Sequence, residues 1–281
     1  MSYNMSVPYF YRNDNSRFLS VEGKDSSDFL QNLITNDVNK CTKENIIYSC
    51  LLTPQGKFIA DFFIFKKDNN YIIETHSLFY ETLLKKLKLY KLRSKILINE
   101  ITNLCSYSVF GELNNNFNFI IFCADPRNNK IGNKLICTSQ DSEILKNVKE
   151  IDEKKYHEIL IQNTVPLSHF DLKENKSLLL ENNFENLNAI SWDKGCYVGQ
   201  ELTARMKYRA LLKKRIYSLI VKDGIPQIEQ IIIDDENNYG KIINVENNSI
   251  LAMLNIELAE SKKNEQQKIK TNDGLVLEFI V

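Results

Sequence analysis

The sequence predicts an α+β fold of antiparallel sheets with single helices, followed by a small C-terminal β-barrel. Strand patterns come in pairs that are joined by short turns, and helical patterns occur singly between these pairs. From residue 213 onward every periodic segment reads as a strand. A parallel sheet would instead need a long crossover, usually a helix, after each strand. We therefore expect an α+β region at 1–212 and a barrel domain at 213–281.

The α+β region alternates paired strands with amphipathic helices. The connection Pro54-Gln55-Gly56 suits a tight hairpin turn between two apolar segments. The segment 78–92 places apolar side chains on one helical face, so this helix is expected to pack on a sheet. The predicted elements are, in order, a strand at 17–21, a helix at 26–34, strands at 46–53, 57–66 and 71–75, a helix at 78–92, several strands between 96 and 136, and a helix at about 143–149.

The C-terminal region is a run of short strands separated by turn residues. Asp273-Gly274 is a strong hairpin signal, because both residue types tolerate the positive φ angles of a tight turn. Such a run is typical of a small barrel or sandwich. The predicted strands lie at 216–221, 228–234, 240–245, 249–254, 267–270 and 275–281.

The composition is that of an ordinary globular protein and excludes several classes. Thirty-six basic and 36 acidic residues give a net charge of zero, so no overall positive field attracts nucleic acid or an anionic membrane. The longest apolar stretches, such as 119–124, are far shorter than the roughly 20 residues that span a bilayer. The first fourteen residues show neither a secretory nor a mitochondrial leader pattern, so we expect a cytoplasmic protein.

The cysteines and histidines show no pattern of a metal site, and we expect no bound metal. The chain has six cysteines without a Cys-x-x-Cys pair, and these are expected to be free thiols. Five of them are interpreted as small buried hydrophobic residues. The three histidines, His76, His157 and His169, have no mutual spacing typical of metal ligands, and we interpret them as surface or packed side chains.

The densest chemical feature is the signature segment, residues 194–201, which reads Lys-Gly-Cys-Tyr-Val-Gly-Gln-Glu. Two glycines bracket the thiol of Cys196, and 200–208 has helix-forming composition, so the thiol should precede a helix N-terminus. Backbone N–H groups, the helix dipole and the Lys194 cation there would favour an ionised sulfur. This arrangement indicates a nucleophile, a redox group or a metal ligand. The alternative is a tight strand-to-helix turn with a buried cysteine.

The signature segment resembles that of the YgfZ-type branch of the aminomethyltransferase-like (GcvT-like) superfamily, Lys-Gly-Cys-Tyr-x-Gly-Gln-Glu. The resemblance covers nearly the whole chain, and its other matching segments are 21–25, 29–31, 35–37, 51–57 with Asp61, and 203–206. It implies a ring of three lobes, two of them intertwined within 1–212, around a folate-sized central cavity that the thiol faces. It also implies tetrahydrofolate, or a related folate, as cofactor and a role in iron–sulfur cluster assembly or repair.

The resemblance assigns roles to two groups of residues. The pterin of a folate needs a few fixed polar partners in an apolar cleft, and its glutamate tail needs cations such as Lys57, Arg205 and Lys207. For the thiol site the implied residues are Cys196, Lys194, Tyr197, Gln200 and Glu201. For folate binding they are Asn36, Asp37, Gln55, Lys57, Asp61 and Arg205.

The chain lacks three features of the family pattern. Relatives carry an arginine before a Gly-Ile-Pro, where this chain has Leu160 and continues to Pro166 without a guanidinium. True aminomethyltransferases have two adjacent aspartates, where this chain has Ala60-Asp61, and a Tyr-Thr-Gly-Glu stretch that this chain lacks. These departures favour a non-catalytic maturation factor over a transferase.

Three functions remain open on the sequence. The first is a folate-binding maturation factor whose single thiol shares a cluster with an iron–sulfur client or assembly protein, because one thiol cannot hold a cluster alone. The second is a folate-dependent aminomethyl (one-carbon) transferase. The third is an RNA-binding or tRNA-modification accessory module that uses the basic stretch 205–215, which the zero net charge disfavours.

Overall fold

The computed structural model describes residues 7–113, 118–234 and 237–280. Its strands are β1 (Tyr9–Arg12), β2 (Ser16–Glu22), β3 (Ile47–Leu52), β4 (Phe58–Lys67), β5 (Asn70–His76), β6 (Leu97–Ile101), β7 (Leu104–Phe110), β8 (Ile121–Ala124), β9 (Asn133–Thr138), β10 (Lys149–Glu150), β11 (Lys214–Val221), β12 (Ile231–Asp234), β13 (Asn237–Glu246), β14 (Ser249–Asn255), β15 (Ile269–Thr271) and β16 (Val276–Phe279). Its α-helices are α1 (Ser26–Gln31), α2 (Ser77–Lys91), α3 (Glu153–Gln162), α4 (Ser168–Asp171), α5 (Gln200–Tyr208) and α6 (Ile256–Asn264). Short 3-10 helices lie at Val38–Lys40, Asn129–Ile131 and Asp141–Leu145.

The strands form two open sheets and one closed barrel. The first sheet has the order β3-β4-β5-β2-β6, and the second has the order β10-β1-β7-β9-β8. The barrel has the order β11-β14-β13-β12-β15-β16. Within the described residues the paired strands are antiparallel, apart from the parallel pair β1–β10. The predicted α+β fold with a C-terminal barrel is confirmed.

The first sheet carries the main hydrophobic core. Strand β3 is buried along its whole length, and α2 buries Phe79, Leu83 and Leu87 against β4 and β5. Each fully buried side chain of this size contributes roughly 1.5–3 kcal/mol. The helix starts at Ser77 because the His76 side chain accepts a hydrogen bond from the Leu78 N–H at 3.2 Å. The helix predicted from the apolar spacing is therefore present almost as expected.

The barrel packs against α3 and α4. Ile161 of α3 shares an apolar cluster with Ile216 and Leu251 of the barrel. Asp171, the last residue of α4, accepts hydrogen bonds from the Leu167 N–H at 2.6 Å and from Asn244 Nδ2 of β13 at 2.8 Å. Burial raises the pKa of Asp171 to about 7, although both hydrogen bonds favour its ionised form. These contacts join the barrel to the preceding helices. The division into two domains at 212/213 therefore stays a prediction.

Three element predictions were wrong in detail. The segment at 143–149 is not an α-helix. Its first part belongs to the 3-10 helix Asp141–Leu145, and its end forms β10, whose pairing with β1 overrides a weak helical preference. Helix α1 ends at Gln31 rather than residue 34, because the next residues pair with β3 through the Ile34–Leu51 bridge. Helix α6 lies where only strands were expected, and the Asn255 side chain caps it.

Two glycines bring the β3–β4 hairpin turn against the signature segment. Gly199 has φ +82°, and a Cβ built on it would lie 2.4 Å from the Thr53 carbonyl oxygen. Gly56 has φ +72°, and its Cβ would lie 2.9 Å from the Gly199 carbonyl oxygen. Both positions therefore require glycine for conformation and for space. Gly195 differs, because a Cβ there meets nothing within 4 Å.

The close contact at Gly199 predicts that an alanine there destabilises the fold, whereas an alanine at Gly195 does not. Gly199→Ala should lower the free energy of unfolding by about 2 kcal/mol or more, because the new methyl group meets backbone and the positive φ becomes strained. Gly195→Ala, the matched control in the same segment, should change it by less than about 0.5 kcal/mol. Urea unfolding followed by circular dichroism measures both. Equal effects of the two substitutions would contradict this account.

Candidate functional site

A central cavity lies between the two open sheets and has a volume of about 130 Å³. Its walls come from β4 and β5 of the first sheet, from β9 of the second, and from α3 and α4. The residues that carry its chemistry are Asp61, Phe63, Glu74, His76, Arg127, Lys134, His157 and His169. A central cavity is therefore present, and most of its polar residues were not predicted; its fit to a folate stays a prediction.

Two buried ion pairs flank the aromatic ring of Phe63. Arg127 binds Asp125 with two hydrogen bonds, at 3.0 Å from Nε and 2.8 Å from Nη2, and its guanidinium lies 5.0 Å from the Phe63 centroid. Lys134 donates to Glu74 at 2.8 Å, and its ammonium lies 4.1 Å from the same centroid. Removing one partner of such a pair costs about 3–5 kcal/mol, because the other charge stays buried. The cavity is therefore held in shape by charges as well as by packing.

Asp61 lines the cavity, as the resemblance implied. One of its oxygens, Oδ2, accepts hydrogen bonds from the Tyr48 hydroxyl at 2.5 Å and the Ser168 hydroxyl at 2.8 Å. Burial raises the pKa of this carboxyl above its ordinary value, and the two hydroxyl donors limit that rise. The group can therefore accept a hydrogen bond from a bound molecule or hold a proton near it.

All three histidines of the chain meet in the cavity wall. His76 ends β5, His157 lies on α3 and His169 lies on α4. The rings of His76 and His169 stack in parallel with centroids 4.0 Å apart. Burial lowers the pKa of His76 to about 4, with His169 acting in the same direction, and also lowers the pKa values of the other two. The histidines are packed and neutral at pH 7, and sequence spacing could not show that three separate elements converge.

The described residues contain no group of three or more His, Cys, Asp or Glu side chains with the geometry to hold a metal. No helix in the described part of the chain is long and apolar enough to cross a membrane.

The signature segment is anchored by the buried ammonium of Lys194. This group donates three hydrogen bonds, to the carbonyl oxygens of Gln31 at 2.6 Å, Ile34 at 2.7 Å and Asn36 at 2.8 Å. Burial lowers the pKa of Lys194 to about 8, and Asp37 opposes this shift. The ammonium is thus bound to the loop after α1, whereas the sequence placed it beside the thiol. Its role is to position the segment.

The thiol of Cys196 is exposed on the surface of this anchored segment. Helix α5 begins at Gln200, as predicted, so the thiol precedes its N-terminus. Tyr197, the next residue, is buried in the main core with its ring 5.1 Å from the Lys194 ammonium. Cys196 is not among the residues that line the central cavity. The expectation that the thiol faces the cavity was therefore wrong: Tyr197 points inward and the thiol outward.

The other residues implied for folate binding lie outside the cavity. Asn36 ties two loops together, because its Nδ2 donates to the Tyr48 and Asn188 carbonyl oxygens at 2.8 and 2.7 Å. Asp37 caps the 3-10 helix that follows it, accepting from the Asn39 N–H at 3.0 Å. Gln55 is exposed in the β3–β4 turn. Asn36 and Asp37 therefore support the framework around the signature segment.

The predicted tail cations are also absent from the cavity wall. Lys57 is half-buried beside the β3–β4 turn, and Arg205 is paired with Glu201 on the exposed face of α5. Lys207 binds Glu185 at 2.5 Å. One feature of the sequence could have located the residues that do line the cavity, such as Glu74 and Lys134. They are charged residues inside otherwise apolar strands, which is costly unless they are paired or used.

The fold is that of the aminomethyltransferases of the glycine cleavage system. The crystal structure of glycine cleavage system aminomethyltransferase T from Bartonella henselae matches with a TM-score of 0.77, over 98% of this chain and 85% of that chain. Sequence identity is 10%, so this match shows the fold alone. Residues 14–111 match the family model described as the GCVT N-terminal domain.

The sequence is also similar to proteins named iron-sulfur cluster assembly factor IBA57, mitochondrial. The Neurospora crassa homolog is 30% identical over 73% of this chain and 52% of its own length. The Homo sapiens protein is 26% identical over 77% of this chain and 67% of its own length. The Mycosarcoma maydis homolog is 29% identical over 72% of this chain and 54% of its length. The chain thus spans about half the length of the first relatives.

These comparisons correct two predictions. The superfamily resemblance is confirmed for the fold and the N-terminal domain, but the relatives carry the IBA57 name rather than that of the YgfZ-type branch. The cytoplasmic location was wrong, because the relatives are named as mitochondrial proteins. Location depends on a targeting address that receptors read, so composition and fold carry little information about it.

The cavity histidines predict a specific pH dependence. His76 has a folded-state pKa of about 4 against an ordinary value of 6.5, so the unfolded chain binds more protons in that window. Its neutral ring stabilises the fold fully above pH 6.5, and this contribution is lost as the pH falls toward 4. His76→Asn keeps a side-chain acceptor at the start of α2 and does not titrate.

The unfolding free energy of the wild type, measured relative to this variant, should therefore fall between pH 6.5 and 4 and stay level above pH 7. Urea titrations at half-unit pH intervals test this. Titrating groups that do not contact His76 cancel in the difference, because both proteins contain them, whereas the stacked His169 contributes to it in the same pH range. A difference that is constant from pH 4 to 7 would show that His76 does not titrate as its surroundings indicate.

Proposed function

We propose that this protein is a mitochondrial iron–sulfur cluster assembly factor that presents the Cys196 thiol to a partner. The observation that carries the proposal is an exposed thiol on a segment that is fixed from beneath. The relatives that are named as assembly factors support the same function.

Cys196 differs from every other cysteine of the chain in exposure. Three of the others, Cys41, Cys50 and Cys137, are buried, and burial raises the pKa of each. Cys105 and Cys123 are partly buried in the second sheet. An iron–sulfur cluster needs several thiolate or imidazole ligands, so Cys196 can supply one and a partner must supply the rest. The proposed chemistry is therefore a ligand shared between two proteins.

The anchoring of the segment makes the thiol suitable for this role. Lys194, two positions before the thiol, is bound through its ammonium to backbone carbonyl groups. Tyr197, directly after the thiol, is buried in the core, and Gly199 packs against the hairpin turn. Little conformational freedom is left to lose when a partner binds, which favours affinity. The thiol nevertheless projects to the surface, where a second protein can reach it.

We further propose that the central cavity binds tetrahydrofolate or a related folate. The cavity offers the stacked rings of His76 and His169 and two carboxylates, Asp61 and Glu74, which suit a flat ring with N–H donors. The guanidinium that is missing at Leu160 has a counterpart in Arg127, since both residues line the same cavity. A bound folate would supply a one-carbon carrier, while this chain's residues would bind and orient it.

The RNA-binding alternative loses support from the pairing of the basic stretch. Four of its six cations form ion pairs with carboxylates, which weakens attraction to phosphate. The ion pairs are Arg205–Glu201, Lys207–Glu185, Lys214–Glu181 and Arg215–Glu260. The aminomethyl transferase alternative rests on Asp61, the one carboxyl retained from the family's pair, and stays open.

The proposed role of the thiol predicts a loss of function without a loss of fold. Cys196→Ser should abolish the restoration of iron–sulfur enzyme activity in cells that lack their own assembly factor of this kind. Its unfolding free energy should stay within about 0.5 kcal/mol of the wild type, because the side chain is exposed. Cys105→Ser is the matched control and should restore activity. Full restoration by a folded Cys196→Ser protein would refute the role.

The proposed folate site predicts a measurable affinity that depends on Asp61. Calorimetric titration should show tetrahydrofolate binding, and Asp61→Asn should weaken it at least about tenfold, which corresponds to about 1.4 kcal/mol. Asp68→Asn, an exposed turn position, is the matched control and should bind like the wild type. Absence of heat with the wild type, or equal affinity of both variants, would argue against this site. Turnover with an aminomethyl donor would support the transferase instead.

A further inference from the structure

The central cavity contains a buried carboxylate with one unsatisfied oxygen. Glu74 lines the cavity and is 2% exposed. Its Oε1 accepts hydrogen bonds from Lys134 Nζ at 2.8 Å and from the Ser16 hydroxyl at 2.6 Å. Its Oε2 is buried and has no hydrogen-bond partner among the described residues. An unsatisfied buried acceptor costs about 1–3 kcal/mol, and more when it is charged, so such an atom requires an explanation.

The position of Glu74 explains why its own chain cannot satisfy it. Lys134 lies on β9 of the second sheet and Glu74 on β5 of the first, so the ion pair joins the two sheets at the cavity. The Lys134 ammonium also lies over the ring of Phe63. The lysine and Ser16 therefore fix the orientation of the carboxylate through Oε1 and leave Oε2 as a preorganised acceptor. Lys134 acts here as a positioning residue.

The remaining cavity groups define what kind of molecule would complete this acceptor. The stacked rings of His76 and His169 offer a flat surface in the cavity wall. The nearby guanidinium of Arg127 is bound to Asp125 by two hydrogen bonds. The Oε2 atom of Glu74 is thus a negatively charged acceptor that is not yet used. A ligand carboxylate would be repelled there, whereas a planar ring with N–H donors on its edge would be bound.

We propose that Glu74 is a specificity-determining residue of the cavity and that its Oε2 accepts a hydrogen bond from the amino-bearing edge of a 2-amino-4-oxopteridine ring. This inference rests on the proposed folate role of the same cavity. Among the parts of a folate, the ring edge carries adjacent N–H donors, the benzoyl amide carries a single one, and the glutamate tail ends in carboxylates. The ring edge is therefore the part that Glu74 selects.

The first test uses the wild-type protein and three small probes. Calorimetric titration compares pterin, pteridine-2,4-dione and 4-aminobenzoylglutamate. The dione carries a carbonyl acceptor in place of the amino donor, so it should bind at least about ten times more weakly than pterin. The tail fragment should bind more weakly still. Equal affinity of pterin and dione, or tighter binding of the tail fragment, would overturn the proposal.

The second test uses Glu74→Gln with Glu44→Gln, an exposed loop position, as the matched control. Circular dichroism checks folding. Folded Glu74→Gln should bind tetrahydrofolate about 10–100 times more weakly and should lose the preference for pterin over the dione, while the control keeps both. If Glu74→Gln does not fold, the probe comparison on the wild type decides.

The outcomes separate the two proposals. Wild-type binding of tetrahydrofolate with unchanged affinity and preference in folded Glu74→Gln would overturn the role of Glu74 and leave the folate site standing. A wild type that binds neither tetrahydrofolate nor pterin would overturn both.

Discussion

The buried ammonium of Lys194 is the interaction on which the presentation of the thiol depends. Its three donors are satisfied by three carbonyl groups at the end of α1 and in the loop that follows. Leaving any N–H of a buried ammonium without an acceptor is costly. The loop and the signature segment must therefore stay in a fixed position relative to each other. Tyr197 and Gly199 extend the same constraint, one into the core and the other against the hairpin. Cys196 is then the one member of this group whose side chain faces outward.

The cavity and the thiol are separate centres that share a framework. Strand β4 contributes Asp61 to the cavity, and its hairpin turn with β3 supports the signature segment through Gly56. Thr35 and Asn36 connect the same framework to the residues before the segment, for example through the Thr35 hydroxyl, which donates to the Ala189 carbonyl oxygen at 2.6 Å. Occupancy of the cavity can therefore influence the thiol only through these shared strands and loops, not by direct contact.

Much of the fold could be predicted from the sequence, because it is encoded in local patterns. The apolar spacing gave α2, the turn residues gave the β3–β4 hairpin, and the composition of 200–208 gave α5 with the residue limits that the structure has. The placement of Asp61 in the cavity wall agrees with the resemblance, whereas the Cys196 thiol lies on the surface and not in the cavity.

The rest of the site depends on distant pairings that local patterns do not encode. Glu74 and Lys134 are 60 positions apart and meet only because β5 and β9 belong to facing sheets. Asp125 and Arg127 flank a proline in a segment that reads as a turn, although they form the buried pair of the cavity wall. The direction of the Lys194 side chain was missed for the same reason, since its acceptors lie about 160 positions earlier.

The docking of the barrel on α4 has a consequence for the order of events during synthesis. Asn244 of β13 holds Asp171, and the same short helix carries Ser168 and His169 in the cavity wall. The strands of both open sheets precede the barrel strands in the chain, so they leave the ribosome first. Until the barrel strands follow, α4 lacks the Asn244 contact. The position of one element of the cavity wall thus depends on a barrel residue that is made 73 positions later in the chain.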